Sequence, residues 1–186
     1  RVLEEEVPTV QKTLEELKQI DLAPFFAVAK NVPGAAADVA DAFLVTHIRY
    51  RGFQGNIRYV TPPISLHAQG MEQILSQAEL APWRQNGGLL VSDSLGVPAI
   101  RRYYSPNLES FPHRQIALDA FQAGNDVLLL TRFSDAGSWD EQMRNVADTI
   151  AFFRSRYDTD AAFQFRVDQS LRRVLQLKMR LYPKLE

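Results

Sequence analysis

The sequence predicts an α/β fold built on parallel strands. Three short apolar runs carry this expectation, at residues 42–48 (Ala-Phe-Leu-Val-Thr-His-Ile), 88–93 (Gly-Leu-Leu-Val-Ser-Asp) and 126–131 (Asp-Val-Leu-Leu-Leu-Thr), with amphipathic helical segments between and after them. Strands alternating with helices are the mark of right-handed βαβ units around a parallel sheet. The near-continuous apolar character of each run suits strands buried on both faces. Three strands are too few for a closed barrel, so they belong either to a small open sheet or to part of an eight-stranded barrel.

Each element has its own local reason. Between residues 8 and 30, Val10, Leu14, Leu17 and Ile20 recur at helical spacing behind a Glu- and Lys-rich outer face. Thr9 is available as N-cap, so a surface-lying amphipathic helix is expected, with a second short helix over 22–30. Asn31-Val-Pro-Gly34 then punctuates the chain before the first strand. Residues 49–65 are rich in Gly, Pro and polar groups and read as loop, followed by a helix over 67–77 and the second strand. A helix over 112–123, a Gly124-Asn125 turn and the third strand repeat the pattern. Two helices close the chain, over 138–157 and 161–181, the second ending before Pro183.

Composition narrows the function. A chain of 186 residues that is 46% apolar and 23% charged is too apolar for disorder and makes one domain, or a piece of one. With 21 basic and 22 acidic side chains the net charge is -1, so no global field favours nucleic acid or an anionic membrane. No apolar run reaches the roughly 18 residues of a membrane span. The lack of cysteine removes disulfides, Cys-ligated zinc and thiol catalysis, and leaves the compartment open. The chain begins Arg1-Val-Leu-Glu-Glu-Glu, with neither an initiator Met nor a signal-peptide layout, so a cut inside a larger polypeptide is expected.

In parallel α/β architectures the loops after the strands build the site. Three places qualify: Thr46 to Tyr50, Ser92 to Ser94, and Thr131 to Phe133. Asp93 stands out as a carboxylate leaving an apolar run, partly desolvated yet open to a pocket. From position alone it also reads as the N-cap or turn residue of the segment that follows. His47 is a candidate ligand contact because it ends a strand on the same face, or else a hydrogen-bonded histidine near the core. Arg49, with Arg51, Arg58, Tyr50 and Tyr59, is a candidate substrate-binding cation in a basic-aromatic loop whose plainer reading is a solvated loop.

The run Gly88-Leu89-Leu90-Val91-Ser92-Asp93-Ser94-Leu95-Gly96 resembles the nucleophile signature of family 3 glycoside hydrolases: Gly, three apolar residues, Ser or Thr, Asp, two variable positions and a small residue. Other segments match in order. Val7-Pro-Thr-Val, Leu14-Glu-Glu-Leu and Asp21-Leu-Ala-Pro-Phe25 resemble the helix after the acid/base loop in the bacterial β-N-acetylhexosaminidase branch. Ala42-Phe-Leu-Val-Thr-His47 resembles its next strand, and Pro62-Pro63-Ile-Ser65 the loop after it. Ala120-Phe-Gln-Ala-Gly-Asn-Asp126 resembles the strand that closes the barrel.

The resemblance implies that residues 1–186 are the C-terminal half of a (β/α)₈ TIM-type barrel, supplying strands six to eight and their helices. It implies a retaining exo-β-glycosidase of β-N-acetylhexosaminidase type, with Asp93 as nucleophile, a terminal β-linked sugar as substrate and no cofactor or metal. The acid/base residue, in that branch a His on a Lys-His-Phe-Pro-Gly type loop after strand five, has no counterpart here and is expected upstream of Arg1. The chain would then be active only with the N-terminal half of the same barrel as its partner. Two alternatives remain: a carbohydrate-binding module of this family without activity, and an unrelated flavodoxin-like regulatory domain, which would reverse its strand order beside Asp93.

Other motifs carry less. His67 and His113 sit at helix starts without metal-ligand spacing and read as capping or surface residues. Ser94 lacks the Gly-x-Ser-x-Gly elbow, and neither a dinucleotide nor a Walker glycine pattern is present. Tyr103 and Tyr104 share the ambiguity of the basic-aromatic loop. Trp83 and Trp139 read as packing anchors, and Arg172, Arg173, Lys178 and Arg180 as outward-snorkelling charges of the closing helix.

Overall fold

The computed structural model describes residues 5–30, 32–55, 60–135 and 137–183. Arg1, Arg58 and Tyr59 lie outside the described residues. The first element of the described residues is not a helix but β1, Thr9–Val10, which pairs in parallel with β3, Arg49–Tyr50. Helix α1 follows at Leu14–Gln19 and α2 at Ala23–Val28. The N-cap of α1 is Thr13, not Thr9. Thr13 has Glu16 three residues on and closes a reciprocal capping box with it, whereas Thr9 has Lys12 there and no such partner.

The central sheet pairs β2, Ala42–Val45, with β4, Leu89–Ser92, in parallel, from Ala42 opposite Leu89 to Val45 opposite Ser92. The third apolar run lies along the other edge of β4, with the Ser92 N–H donating to the Val127 carbonyl at 2.9 Å and the Leu95 N–H to that of Leu129 at 3.0 Å. It makes a single parallel bridge, Val91 to Val127, rather than a regular strand. The reason is local: the Leu129 N–H donates at 3.0 Å to the Ser92 hydroxyl, a side chain that interrupts the backbone ladder. The order β2, β4, 126–131 follows the chain without reversing beside Asp93.

Between β3 and β4 come α3, Arg51–Gln54, a 3₁₀ turn at Ile64–Leu66, α4, Ala68–Leu75, and α5, Ala81–Gln85. After β4 come α6, Pro98–Tyr104, and α7, His113–Gln122, and the long helices α8, Trp139–Thr159, and α9, Ala161–Leu181, complete the order. Their N-caps, Ser138 and Asp160, accept from Glu141 and Phe163 backbone N–H groups, satisfying donors that the first turn leaves free.

Alternation along a strand splits the sheet into two unlike faces. On one, Val45 and Leu90 pack with Met71, Ala123 and the fully buried Trp83, whose indole N–H donates at 2.7 Å to the Ala40 carbonyl. On the other, Leu44 lies level with Val91 and Val91 with Val127. Leu44 is 52% exposed and Leu129 37%. The exposure of Leu44 corrects the reading of the first strand as buried on both faces. Trp139, 69% exposed at the start of α8, is likewise no packing anchor.

Beneath the sheet, at the end opposite Asp93, the Asp126 side chain is fully buried among Arg84, Arg166 and Arg173, and also accepts from the Ser170 hydroxyl at 2.7 Å and the Leu90 N–H at 3.0 Å. Arg173 therefore points inward, and Arg180 pairs with Asp41 at 2.6 Å, so neither charge snorkels outward as the helical pattern suggested. Burial pushes the Asp126 carboxyl up, but Arg84, Ser170 and the Leu90 N–H outweigh it and hold it below the ordinary range. The hub ties α5, the third apolar run and α9 together.

Candidate active site

Where the strands end, a cleft of about 370 Å³ opens, lined by Thr46, His47 and Ile48 after β2, Asp93 and Ser94 after β4, and Thr131 and Arg132 after the third run, with Pro8 and Val97 at its side. All three strand-end segments singled out in the sequence thus contribute to one cavity. Their convergence follows from the shared direction of parallel strands, whose C-terminal loops meet on one side.

Asp93 enters this cleft from a fixed backbone. Its N–H donates to the Val45 carbonyl at 3.0 Å, tying it to the neighbouring strand. The Ser94 N–H donates to Asp93 Oδ1 at 2.7 Å, while Oδ2 takes no hydrogen bond from any described residue. One carboxylate oxygen is therefore held and the other left available to a ligand. Asp93 is the one acidic side chain among the described lining residues.

The glycines at both ends of the Gly88–Gly96 run are there for space. A Cβ on Gly88 would stand 2.3 Å from the Trp83 ring, and one on Gly96 would stand 2.1 Å from the Arg132 carbonyl oxygen. Gly96 thus lets the turn after Asp93 touch the turn after the third run. Arg132 itself has a φ of 53°, a left-handed conformation that a non-glycine residue rarely adopts. Ser94 completes the junction, its hydroxyl donating to the Thr131 carbonyl at 3.2 Å and sharing a short hydrogen bond with the Thr131 hydroxyl.

His47 lines the cleft but is only 7% exposed, and both ring nitrogens are engaged by the protein: Nδ1 with the Ser65 hydroxyl at 2.7 Å and Nε2 with the Ser94 carbonyl at 2.9 Å. Burial pushes the imidazole below the ordinary histidine range, against the opposing pull of the Ser94 carbonyl and the Asp93 charge. Arg49 does not reach the cleft lining; its guanidinium stands 5.7 Å from the centre of the Tyr103 ring. Tyr104 donates to Asp119 at 2.7 Å and is not among the lining residues. His67 accepts from Gln54 and His113 pairs with Asp148 at 2.6 Å; neither caps its helix with its side chain. Among the described residues no group of three or more His, Asp or Glu is placed to hold a metal ion, and no helix is long and apolar enough to cross a membrane. Ser65 was not singled out in the sequence, and only its place in the Pro-rich loop pointed to it.

The family model of the glycosyl hydrolase family 3 N-terminal domain matches residues 4–177. The chain belongs to glycosyl hydrolase family 3. Membership removes the unrelated flavodoxin-like alternative, as does the unreversed strand order. A search of curated protein sequences found no match. Among solved structures, a glycoside hydrolase family 3 β-N-acetylglucosaminidase from Paenibacillus sp. str. FPU-7 superposes with a TM-score of 0.66 at 24% identity, over 96% of this chain and 28% of that one. Zinc-bound CbsA from Thermotoga neapolitana gives 0.65 at 19% identity, over 94% and 31%. The β-glucoside phosphorylase BglX bound to 2FGlc gives 0.67 at 15% identity, over 99% and 28%. At these identities the likeness establishes the fold, that of an α/β barrel-like fragment. The family 3 chain spans less than a third of the length of each of these structures.

Proposed function

We propose that residues 1–186 form the C-terminal half of a family 3 (β/α)₈ barrel, with Asp93 as the nucleophile of a retaining exo-β-glycosidase. The observation that carries this is the Asp93 carboxylate itself: at the end of β4, in the strand-end cleft, with Oδ1 held by the Ser94 N–H and Oδ2 unengaged by described residues. Oδ2 attacks the anomeric carbon of a terminal β-linked sugar through an oxocarbenium-like transition state and forms a glycosyl ester. Water then releases the sugar with its configuration retained. The leaving oxygen needs a proton donor, about 5–5.5 Å from the nucleophile in the two-carboxylate arrangement. No second carboxylate lines the described cleft, so the donor is assigned to the N-terminal half, as a His on a loop after strand five. General acid catalysis is worth roughly 10²–10⁴-fold, so the chain on its own is expected to be inactive.

The preferred sugar is of the N-acetylglucosamine type, a reading supported by the hexosaminidase-like segments 7–25 and 42–47 and by the named activity of the Paenibacillus structure. His47 stands in the cleft wall with both ring nitrogens engaged by the protein, and Arg49 lies outside the lining residues, beside the Tyr103 ring. The test is to incubate the full-length polypeptide with a 2-deoxy-2-fluoro glycoside, whose fluorine slows breakdown of the ester, and to map the labelled peptide by mass spectrometry. The label is expected on Asp93, and a label on any other residue overturns the assignment. Binding of the sugar with neither label nor hydrolysis of an aryl N-acetylglucosaminide or glucoside favours the non-catalytic module instead.

A further inference from the structure

His47 carries an inference that rests on the nucleophile reading of Asp93 and goes beyond it. Its Nε2 faces a backbone carbonyl, that of Ser94, at 2.9 Å. A carbonyl only accepts, so Nε2 bears the proton. In the neutral ring that burial favours, Nδ1 is then the acceptor, and the Ser65 hydroxyl donates to it at 2.7 Å. The tautomer is thus fixed by its two partners, and neither ring nitrogen is left for a sugar hydroxyl.

The brace behind the ring is itself rigid. Ser65 is fully buried in the 3₁₀ turn Ile64–Leu66. Its carbonyl accepts from the Asn125 amide at 2.9 Å, and the Ile64 N–H donates to the Ile48 carbonyl at 2.7 Å. In front of the ring, Ser94 is gripped at every polar group it has. His47 holds its carbonyl, Thr131 its hydroxyl, and its N–H is the group that fixes Asp93 Oδ1. A chain of contacts therefore runs from the buried Ser65 through the imidazole and Ser94 to the carboxylate.

We propose that His47 is a positioning residue, which orients the Asp93 carboxylate by clamping the Ser94 carbonyl, rather than a contact to the sugar. Removing the clamp leaves the Ser94 carbonyl unpaired in the cleft wall and lets its peptide planes rotate, so Oδ2 departs from the line of attack. Misplacement of a reacting group by about 1 Å costs on the order of 10²-fold in rate, without a matching loss of binding.

The experiment uses the full-length polypeptide and measures, at increasing 2-deoxy-2-fluoro glycoside, the saturating rate of Asp93 labelling and the concentration giving half that rate. His47→Leu is expected to slow saturated labelling by about 10²-fold with the half-saturating concentration moved by less than about threefold. His47→Gln, whose side-chain amide can donate to the Ser94 carbonyl, is expected to recover at least about tenfold of that loss. Ser65→Ala, which removes the brace but keeps the donor, should fall between wild type and His47→Leu and carries the same test if the leucine variant does not fold. An unchanged saturated rate in His47→Leu or Ser65→Ala overturns the proposal, as does a raised half-saturating concentration at an unchanged rate, the result of a lost sugar contact. Failure of His47→Gln to exceed His47→Leu also overturns it. Wild-type polypeptide that takes no label at Asp93 removes the nucleophile reading beneath the proposal, a result separable from all of these.

Discussion

At the scale of single residues the two ends of the sheet divide their work between two aspartates. Asp93, at the C-terminal end, has one oxygen held and one that takes no hydrogen bond from a described residue; Asp126, at the other end, accepts from three arginines, a hydroxyl and a backbone N–H. Removing the charge of Asp126 leaves three guanidinium groups facing one another without a counter-ion. Asp126→Asn is expected to destabilise the full-length polypeptide by about 3–5 kcal/mol, seen as a lower midpoint of denaturant unfolding. The same group predicts a direction with pH. Its folded pKa lies below the unfolded value, so its contribution is complete above about pH 3.9 and is lost as pH falls through the depressed folded value. An Asp126→Asn variant with wild-type stability and an unaltered acid limb contradicts the account of the hub.

Asp93 stands out in the sequence as a carboxylate leaving an apolar strand, and because position alone leaves a capping reading open, it is the match of the surrounding residues to a family pattern that singles it out. Asp126 ends a second segment that resembles the family, but its triple pairing is not visible there. Its partners come from positions 84, 166 and 173, brought together only by packing, and helical periodicity placed Arg173 on the outside. His47 was legible as a strand-end residue, yet its two partners, at positions 65 and 94, decide which of its readings holds, and nothing in the local sequence states them.

At the scale of elements, legibility followed length and regularity. The helices α8 and α9, each 21 residues, appear close to where their apolar spacing and caps put them. The short α5 and α6 carry no helical expectation in the sequence, because each has a proline in its first turn, which punctuates a sequence but is well placed there. The two-residue strands β1 and β3 have no periodicity to read, and Thr9 and Val10 were absorbed into a helical pattern that begins four residues later. The third apolar run reached its place beside β4, but a serine hydroxyl at position 92 took a backbone donor and kept it from becoming a regular strand. The turn after Asp93 is the element on which the site depends. Gly96→Ala places a methyl group against the Arg132 carbonyl and forces the two turns apart. A loss of about 1–3 kcal/mol in unfolding free energy is expected, together with a fall in the rate of Asp93 labelling, since Ser94 bridges the same turns. Stability and labelling both unchanged would show that the close approach does not hold the site.

At the scale of the whole molecule, the one-sided sheet is the observation that sequence alone did not anticipate. Its helix-covered face buries Val45 and Leu90, while Leu44 and Leu129 stand exposed on the other. The interior of a (β/α)₈ barrel is a packed core filled by side chains from all its strands, so a half-barrel carries such a bare face until the remaining strands close over it. On the proposed half-barrel reading the cleft is incomplete in the same way, with the proposed nucleophile and no second acid among its described lining residues. The most direct measurement on this account replaces Asp93 by Ala in the full-length polypeptide and supplies azide together with a β-glycoside bearing an activated leaving group. The small anion then occupies the space left by the carboxylate. The account predicts hydrolysis lowered by several orders of magnitude in the variant, restored turnover with azide, and an α-glycosyl azide as product because a single displacement now replaces two. A variant that retains hydrolysis, or azide that yields no α-product while wild type turns over, contradicts the assignment of Asp93 as the nucleophile.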